Sequence, residues 1–404
     1  MLFNQATLYV LITGTVKVAS ALANFLILSW VIPELIGIWQ LLGVVQSYTS
    51  ILGLGVINAM NRELPFYYGR GDSNYAEGLA ATAYAYTIIA SSVGLFGYFL
   101  FFLCMLGSSE NWAVATAAAG LVWCLGNYRS YLEGTFRTGA HFGTLSKCHL
   151  IESVLGIITL PIVAWYGFLG LLLRSFLLAA IGVVILHILR PVRVLPKLKY
   201  QHLKKLVLVG LPLFLNAYLL SLTNGVDRLL LAGFGITQVG LFAPVEAVAV
   251  MMATIPQALT TYFYPKMVFD YGKSGGKASI LKQARWLSMI AACTTAVVAL
   301  VFWCIVSLTI DRFLPQYSSS KSSMSVALLA GILWGTHSVK IAFYVFKSWR
   351  KLACYTVCYA LLKIVFGWFF VNYFTDPVYG IAMASLVSAT LLVSIVFLLT
   401  ISEV

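Results

Sequence analysis

Five basic residues fall inside long apolar runs of this sequence: Lys17, Arg174, Arg228, Lys340 and Lys363. Three acids share such runs: Asp227, Glu246 and, nearer a cytoplasmic edge, Glu152. A charged group at bilayer depth costs at least about 2.5–3.5 kcal/mol, so it persists where it faces a bundle interior or a water-filled path. Five cations against three acids leave a surplus of positive charge. The chemistry that fits is recognition of an anion, such as a phosphate or pyrophosphate head group. Lys17 and Lys363 lie about 15 Å into their runs at 1.5 Å per residue, too deep to reach water easily. Asp227 and Arg228 are adjacent, so they point to different helix faces and each needs its own partner. Arg174 lies near an outer end, within reach of the interface. The acids allow a rival chemistry. Asp227, Glu246 or Glu152 can bind a proton or Na⁺ and couple transport to a gradient, or can form salt bridges with the cations. His337 is either a proton carrier or a hydrogen-bonded packing residue.

Uncharged polar groups share these runs: Asn24, Gln40, Gln46, Asn216, Asn224 and Gln257, several beside Tyr or Trp. Amides and aromatic faces suit sugar hydroxyls and CH surfaces; bonding between helices uses the same amides. Nothing points to catalysis or to a cofactor. The sequence has no Ser/His/Asp constellation, metal-ligand spacing, Walker loop or GxGxxG. Cys354 and Cys358 share a helix face without another soft ligand. Gly272 to Lys277 (GKSGGK) lacks P-loop spacing and a preceding strand. The seven cysteines lie almost all in apolar runs and read as small buried hydrophobes.

The elements that must position these groups are transmembrane helices. Of 404 residues, 61% are hydrophobic and 10% charged, with a mean hydropathy of +0.92. A soluble domain carries about 25% charged residues, so a soluble enzyme, a disordered scaffold and a disulfide-stapled module are excluded. Apolar runs long enough to cross a ~30 Å hydrocarbon core recur throughout. About twelve spans are expected: 6–30, 36–60, 78–106, 112–132, 148–165 and 168–189, then 206–233, 239–264, 286–310, 324–346, 352–370 and 378–401. The fold class is an all-α polytopic membrane protein. The first run is not read as a cleavable signal, because Lys17 interrupts it and no Lys or Arg precedes it.

With both termini cytoplasmic, 19 of the 26 basic residues fall in cytoplasmic loops and span ends, and only Arg312 and Lys321 lie outside. That asymmetry fixes the orientation. It also explains most of the formal charge of +13 through topology and contact with anionic lipid, so no nucleic acid is implied. Every loop is too short to fold as a catalytic domain. The chain also looks doubled: 23–42 aligns without gaps on 226–245, bringing Gly37 onto Gly240, Trp39 onto Phe242 and Asn24 onto Asp227. With an even number of spans per half, the repeats are parallel. The expected organisation is 1–190 and 206–404 as two six-helix bundles, joined by the cytoplasmic linker 191–205 with Pro191 and Pro196.

Several segments carry a family resemblance. Gly53 to Asp72 (GLGVINAMNRELPFYYGRGD) is similar to the glycine-rich span end, Arg, Pro and Gly-Asp turn of the polysaccharide biosynthesis (O-antigen flippase) family. That family's superfamily also holds multidrug/toxin-extrusion antiporters and lipid II flippases. GLPLFLNAYLLSLTNGVDRLLLAGFGITQVGLFAPVEAV resembles its Pro, Asp-Arg, Val-Gly-Leu-Tyr, Ala pattern, with Phe242 in the place of Tyr. IPQALTTYFYPKM resembles a span end closing in Pro-Lys, and RTGAHFGTLSKCHLIESVLGI is also similar.

The resemblance implies two bundles around a central, often cationic cavity that rock between inward- and outward-facing states. The implied cargo is undecaprenyl-pyrophosphate-linked oligosaccharide, moved to the outer leaflet of a bacterial inner membrane for O-antigen, lipopolysaccharide or other surface-polysaccharide synthesis. A glycan polymerase and chain-length machinery are the implied partners. Lys17, Arg228 and Lys363, with Lys340 and Arg174, then become candidate head-group cations. Arg62 stands either at the cytoplasmic mouth or as a positive-inside anchor. Alternatives are a multidrug/cation antiporter, which calls for a carboxylate-dominated cavity, and a membrane glycan polymerase, which calls for a large outer loop.

Overall fold

The computed structural model describes residues 23–401 except 108, 140 and 275. Among these every regular element is helical. Residues 23–30 are helical and lead into α1 (Pro33–Thr49), a 3-10 turn (Ser50–Gly53) and α2 (Val56–Gly69). Next come α3 (Ser73–Met105), α4 (Glu110–Thr138), α5 (Phe142–Ile158), α6 (Leu160–Leu189) and α7 (Tyr200–Ala232). The chain continues through α8 (Ile236–Leu241), α9 (Ala243–Ser274), α10 (Lys277–Phe313) and a 3-10 turn (Pro315–Ser320). It ends in α11 (Lys321–Thr336), a 3-10 turn (His337–Lys340), α12 (Ile341–Val345), α13 (Trp349–Tyr373) and α14 (Pro377–Ile401). Among the described residues, eight helical stretches are long and apolar enough to cross a membrane, and the pair Tyr200–Pro212 and Phe214–Ala232, bent by 53° at their junction, makes a ninth. The fourth expected span is helical as α4, whose apolar face carries small residues such as Ala115, Ala119 and Gly120. The fifth is the 17-residue α5, continued through the first turns of α6. The chain reverses at Gly167 (φ 54°), so that a Cβ on Gly170 would lie 2.2 Å from the Ile162 carbonyl.

Helices replace much of the expected cytoplasmic loops. α2 runs to Gly69, and α9 and α10 leave only a short connection around residue 276. Continuing a helix past the membrane edge keeps its backbone hydrogen-bonded while lysine and arginine stems reach water.

The chain divides into two compact units. Among the described residues, unit one is Leu41–Leu222, and unit two joins residues 23–40 to the chain from Thr223 onward. α1 and α7 therefore each contribute to both units. The core of unit one packs Met60 and Leu64 of α2, Leu79 and Ala83 of α3, Tyr131 and Phe136 of α4, and Leu186 of α6. Small residues let its helices approach, as is usual where lipid replaces water. Tyr98 of α3 covers Gly120 while Trp123 of α4 covers Gly94. Residues 190–199 lie on α3 within this unit, with Lys197 N donating to Ala81 O at 3.1 Å and Thr82 Oγ1 to Lys197 O at 3.1 Å.

The core of unit two packs Leu281 and Leu287 of α10, Ile341 and Val345 of α12, Tyr355 and Tyr359 of α13, and Leu392 and Val396 of α14. Here the two glycines paired by the internal alignment meet. A Cβ on Gly37 would lie 3.1 Å from Gly240 N, and one on Gly240 would lie 1.7 Å from Pro33 O. Only glycine permits that backbone crossing.

Candidate functional site

Successive residues on a helix are rotated by about 100°, and α7 uses that step to send opposite charges to different neighbours. Asp227 reaches α13, where its Oδ2 accepts from Lys363 Nζ at 2.6 Å. Lys363 also donates to Ser385 Oγ of α14 at 3.1 Å. Arg228 reaches α9 and forms an ion pair with Glu246. Gln40 of α1 donates to the second Glu246 oxygen at 3.5 Å. A polar cluster thus ties five helices of unit two together.

Burial ranks its members. Asp227 and Lys363 are only 5% and 7% exposed, whereas Arg228 and Glu246 are half-buried. Removing one partner of a buried pair costs about 3–5 kcal/mol, because the other charge is left uncompensated. Asp227 Oδ1, Gln40 Oε1 and Arg228 Nε are buried without a hydrogen-bond partner among the described residues.

Lys340 is different. It closes the 3-10 turn His337–Lys340 that interrupts the tenth span between α11 and α12. Its ammonium lies 5.0 Å from the Tyr355 ring centroid and 6.0 Å from that of Trp334. Among the described residues no carboxylate or carbonyl pairs with it. Cation–π contact offsets about 0.5–2 kcal/mol of a charge's desolvation, less than placing a charge in the membrane costs. His337 beside it is 1% exposed and holds Tyr355 in place. Its Nδ1 lies 3.0 Å from the Tyr355 hydroxyl and its Nε2 3.1 Å from Ala389 O. A carbonyl can only accept, so Nε2 carries the proton and Nδ1 accepts from the tyrosine. These bonds give the imidazole the packing role that was one of its two readings.

The remaining candidates lie elsewhere. Arg174 of α6 is buried and donates from Nη2 to Gly156 O of α5 at 2.7 Å, a strap between neighbouring helices. Arg62 of α2 is exposed and unpaired among the described residues. Glu152 of α5 accepts from Arg129 Nη2 at 2.6 Å and lies 3.4 Å from His149 Nδ1. Arg129 in turn meets Glu133 at 2.9 Å, which takes Arg137 at 2.6 Å. Gly182 of α6 leaves the room for this cluster, since a Cβ there would lie 2.6 Å from Glu152 Oε1. Lys17 lies outside the described residues. The structure therefore brings Asp227, Arg228, Glu246 and Lys363 together and leaves Lys340, Arg174, Arg62 and Glu152 apart. Sequence reasoning counted Arg129 only as a topology marker. The i,i+4 spacing of Arg129, Glu133 and Arg137 was the available signal of a helical ion-pair ladder. Ser385 gave none.

No protein-family model and no curated protein sequence matches the chain. Solved structures do match, along nearly the whole chain. A lipid II flippase MurJ in an inward closed conformation superposes with a TM-score of 0.75 at 14% identity, over 97% of this chain and 87% of that one. An inward-facing multidrug resistance MATE family transporter of the MOP superfamily gives 0.71 at 15% identity, over 96% and 94%. A MOP superfamily transporter from Pyrococcus furiosus, described by the reverse polarity of its binding pocket, gives 0.64 at 16%, over 100% and 95%. This chain has the fold of those transporters. At these identities the likeness is one of architecture: an all-helical membrane protein of about twelve spans, as the sequence predicts.

Proposed function

We propose that this protein is a flippase that carries an undecaprenyl-pyrophosphate-linked oligosaccharide from the cytoplasmic to the outer leaflet by alternating access. The observation that carries this reading is the likeness over 97% of the chain to a lipid II flippase, a protein whose named cargo is lipid-linked. The sequence resemblance to the polysaccharide biosynthesis family supports the same cargo class. Lys340, an interior cation without acid or carbonyl among the described residues, also favours an anionic head group over a cationic drug. Halves at 1–190 and 206–404, with both termini in the cytoplasm of a bacterial cell, belong to the proposal. So does a non-enzymatic role in which polymerase and chain-length partners act on the exported unit.

A second reading has its own support. Asp227 and Glu246 each hold a cation on a different helix, so protonating either would release a tie within unit two. That is what a proton- or cation-coupled drug antiporter needs, and the MATE likeness has comparable reach. Deleting the gene in its host separates the two. Lipid-linked repeat units accumulating in the cytoplasmic leaflet, rescued by the wild-type gene, support the flippase. Normal surface glycan with new sensitivity to cationic drugs supports the antiporter.

A further inference from the structure

We propose that Lys340, seated against Trp334 and Tyr355 at the break in the tenth span, binds a phosphate oxygen of the cargo's pyrophosphate head group on the cytoplasmic side of the membrane. The inference rests on the flippase reading and adds a binding site to it. Of the intramembrane cations described, Lys363 is committed to Asp227, Arg228 to Glu246 and Arg174 to a backbone carbonyl. Lys340 alone among them has neither acid nor carbonyl, and its residue is not sealed off as its neighbours Val339 and Ile341 are, both at 0% exposure.

The local fold holds the lysine in place. The 3-10 turn itself holds neither Gly nor Pro, with Gly335 two residues before it, and a 3-10 stretch inside a helix often marks a functional hinge or a strained sequence. His337 takes the Tyr355 hydroxyl, so the tyrosine presents its ring rather than its oxygen to the ammonium. The imidazole is neutral in this arrangement and neither competes for an anion nor supplies one. Trp334 adds a second ring, which packs edge-on to Tyr359 at 5.0 Å. A single ammonium against aromatic faces suits a ligand with one phosphate oxygen to pair and an apolar or sugar CH surface to lay on the rings. Lys340 lies seven residues before Lys347, about 10 Å of helix from the cytoplasmic end, within reach of a head group entering from that leaflet.

The same phosphate chemistry could come from a bilayer phospholipid, and the test separates the two sources. Full-length protein in phosphatidylcholine nanodiscs is titrated with farnesyl pyrophosphate and, separately, with short-chain phosphatidylglycerol. The variants are Lys340→Gln, Lys340→Arg and, as an equal charge change on the outer face, Lys321→Gln, each with a thermal melt. Charge-assisted bonds are the stronger class, so Lys340→Gln should weaken farnesyl pyrophosphate binding about tenfold or more. Lys340→Arg should stay within about threefold, Lys321→Gln should match wild type, and phosphatidylglycerol binding should not change. Equal pyrophosphate binding by wild type and Lys340→Gln overturns the assignment and leaves the flippase reading standing. A loss confined to phosphatidylglycerol makes Lys340 a lipid anchor and also overturns it. Failure of the wild type to bind farnesyl pyrophosphate counts against the flippase reading itself. Should Lys340→Gln fail to fold, Lys340→Met takes its place: unchanged pyrophosphate binding overturns the assignment, and a loss of about tenfold with an unchanged melt supports it.

Discussion

Unit one and unit two bury their central charge clusters to different degrees. In unit one the intramembrane ladder is local: Arg129 meets Glu133 four residues away and Glu152 across 23 residues, and Arg137 closes it, while the long-range pair of Lys205 with Glu63 sits at the start of α7. Within that ladder two cations face two acids, and Arg137 is 44% exposed at its side chain. In unit two Arg228 meets Glu246 only 18 residues away, but the cluster is closed by bonds over long stretches of sequence, 136 residues from Asp227 to Lys363 and 206 from Gln40 to Glu246. The deepest pair there is almost fully enclosed, and among the described residues Lys340 has neither an acid nor a carbonyl, whereas Arg174 of unit one is held by a carbonyl. The ladder of unit one is a structural brace between neighbouring helices. The ties of unit two join helices that meet only when the unit assembles, and its leftover charge is available to a ligand.

The contrast breaks most readily at Asp227. Asp227→Asn leaves Lys363 charged and buried without a counter-ion, and should destabilise the protein by about 3–5 kcal/mol in chemical denaturation in detergent. The double variant Asp227→Leu/Lys363→Met should recover most of that loss. If the single change is silent, the pair is not the enclosed tie described here. Next in size is Gly240→Val, which drives a side chain into the Pro33 carbonyl and should cost about 1–3 kcal/mol by the same measurement. Retained stability would mean that the crossing of α1 and α8 is loose.

In unit one the effects shrink. Glu152→Gln, at a more exposed and redundant ladder, should cost about 1 kcal/mol or less and lose part of that effect in high salt. A double-mutant cycle with Arg129→Met measures the coupling, and a value as large as that of Asp227 with Lys363 would erase the distinction between the units. The smallest effect belongs to the exposed pair of Lys321 and Asp311, whose Nζ and Oδ2 lie 2.7 Å apart. Lys321→Ala should leave the thermal melt unchanged.

The spans were legible because hydropathy reports on the bilayer directly. The divergence of Asp227 and Arg228 was legible too, since a helix turns by a fixed angle per residue. Which helix each would meet was not, because a pairing over 136 residues depends on how helices rotate and pack. The surplus of positive charge read from the sequence is therefore largely tied up in the fold: a tally of cations and acids says nothing about who pairs with whom. Arg174 shows the limit most clearly, for its partner is a backbone carbonyl that no side-chain count includes. The break at His337–Lys340 holds neither Gly nor Pro, and Gly335, two residues before it, was its one local mark in the sequence. The contact of Gly37 with Gly240 had one, the internal alignment that set the two side by side.

The central claim is tested most directly by reconstitution. Purified protein is placed in liposomes carrying a polyprenyl-pyrophosphate-linked oligosaccharide in the inner leaflet, and exposure of the sugar to an external glycosidase is followed over time. The account predicts protein-dependent exposure that empty liposomes lack. Sugar that stays protected, in vesicles where the same protein drives uptake of a cationic drug against a proton gradient, would contradict it.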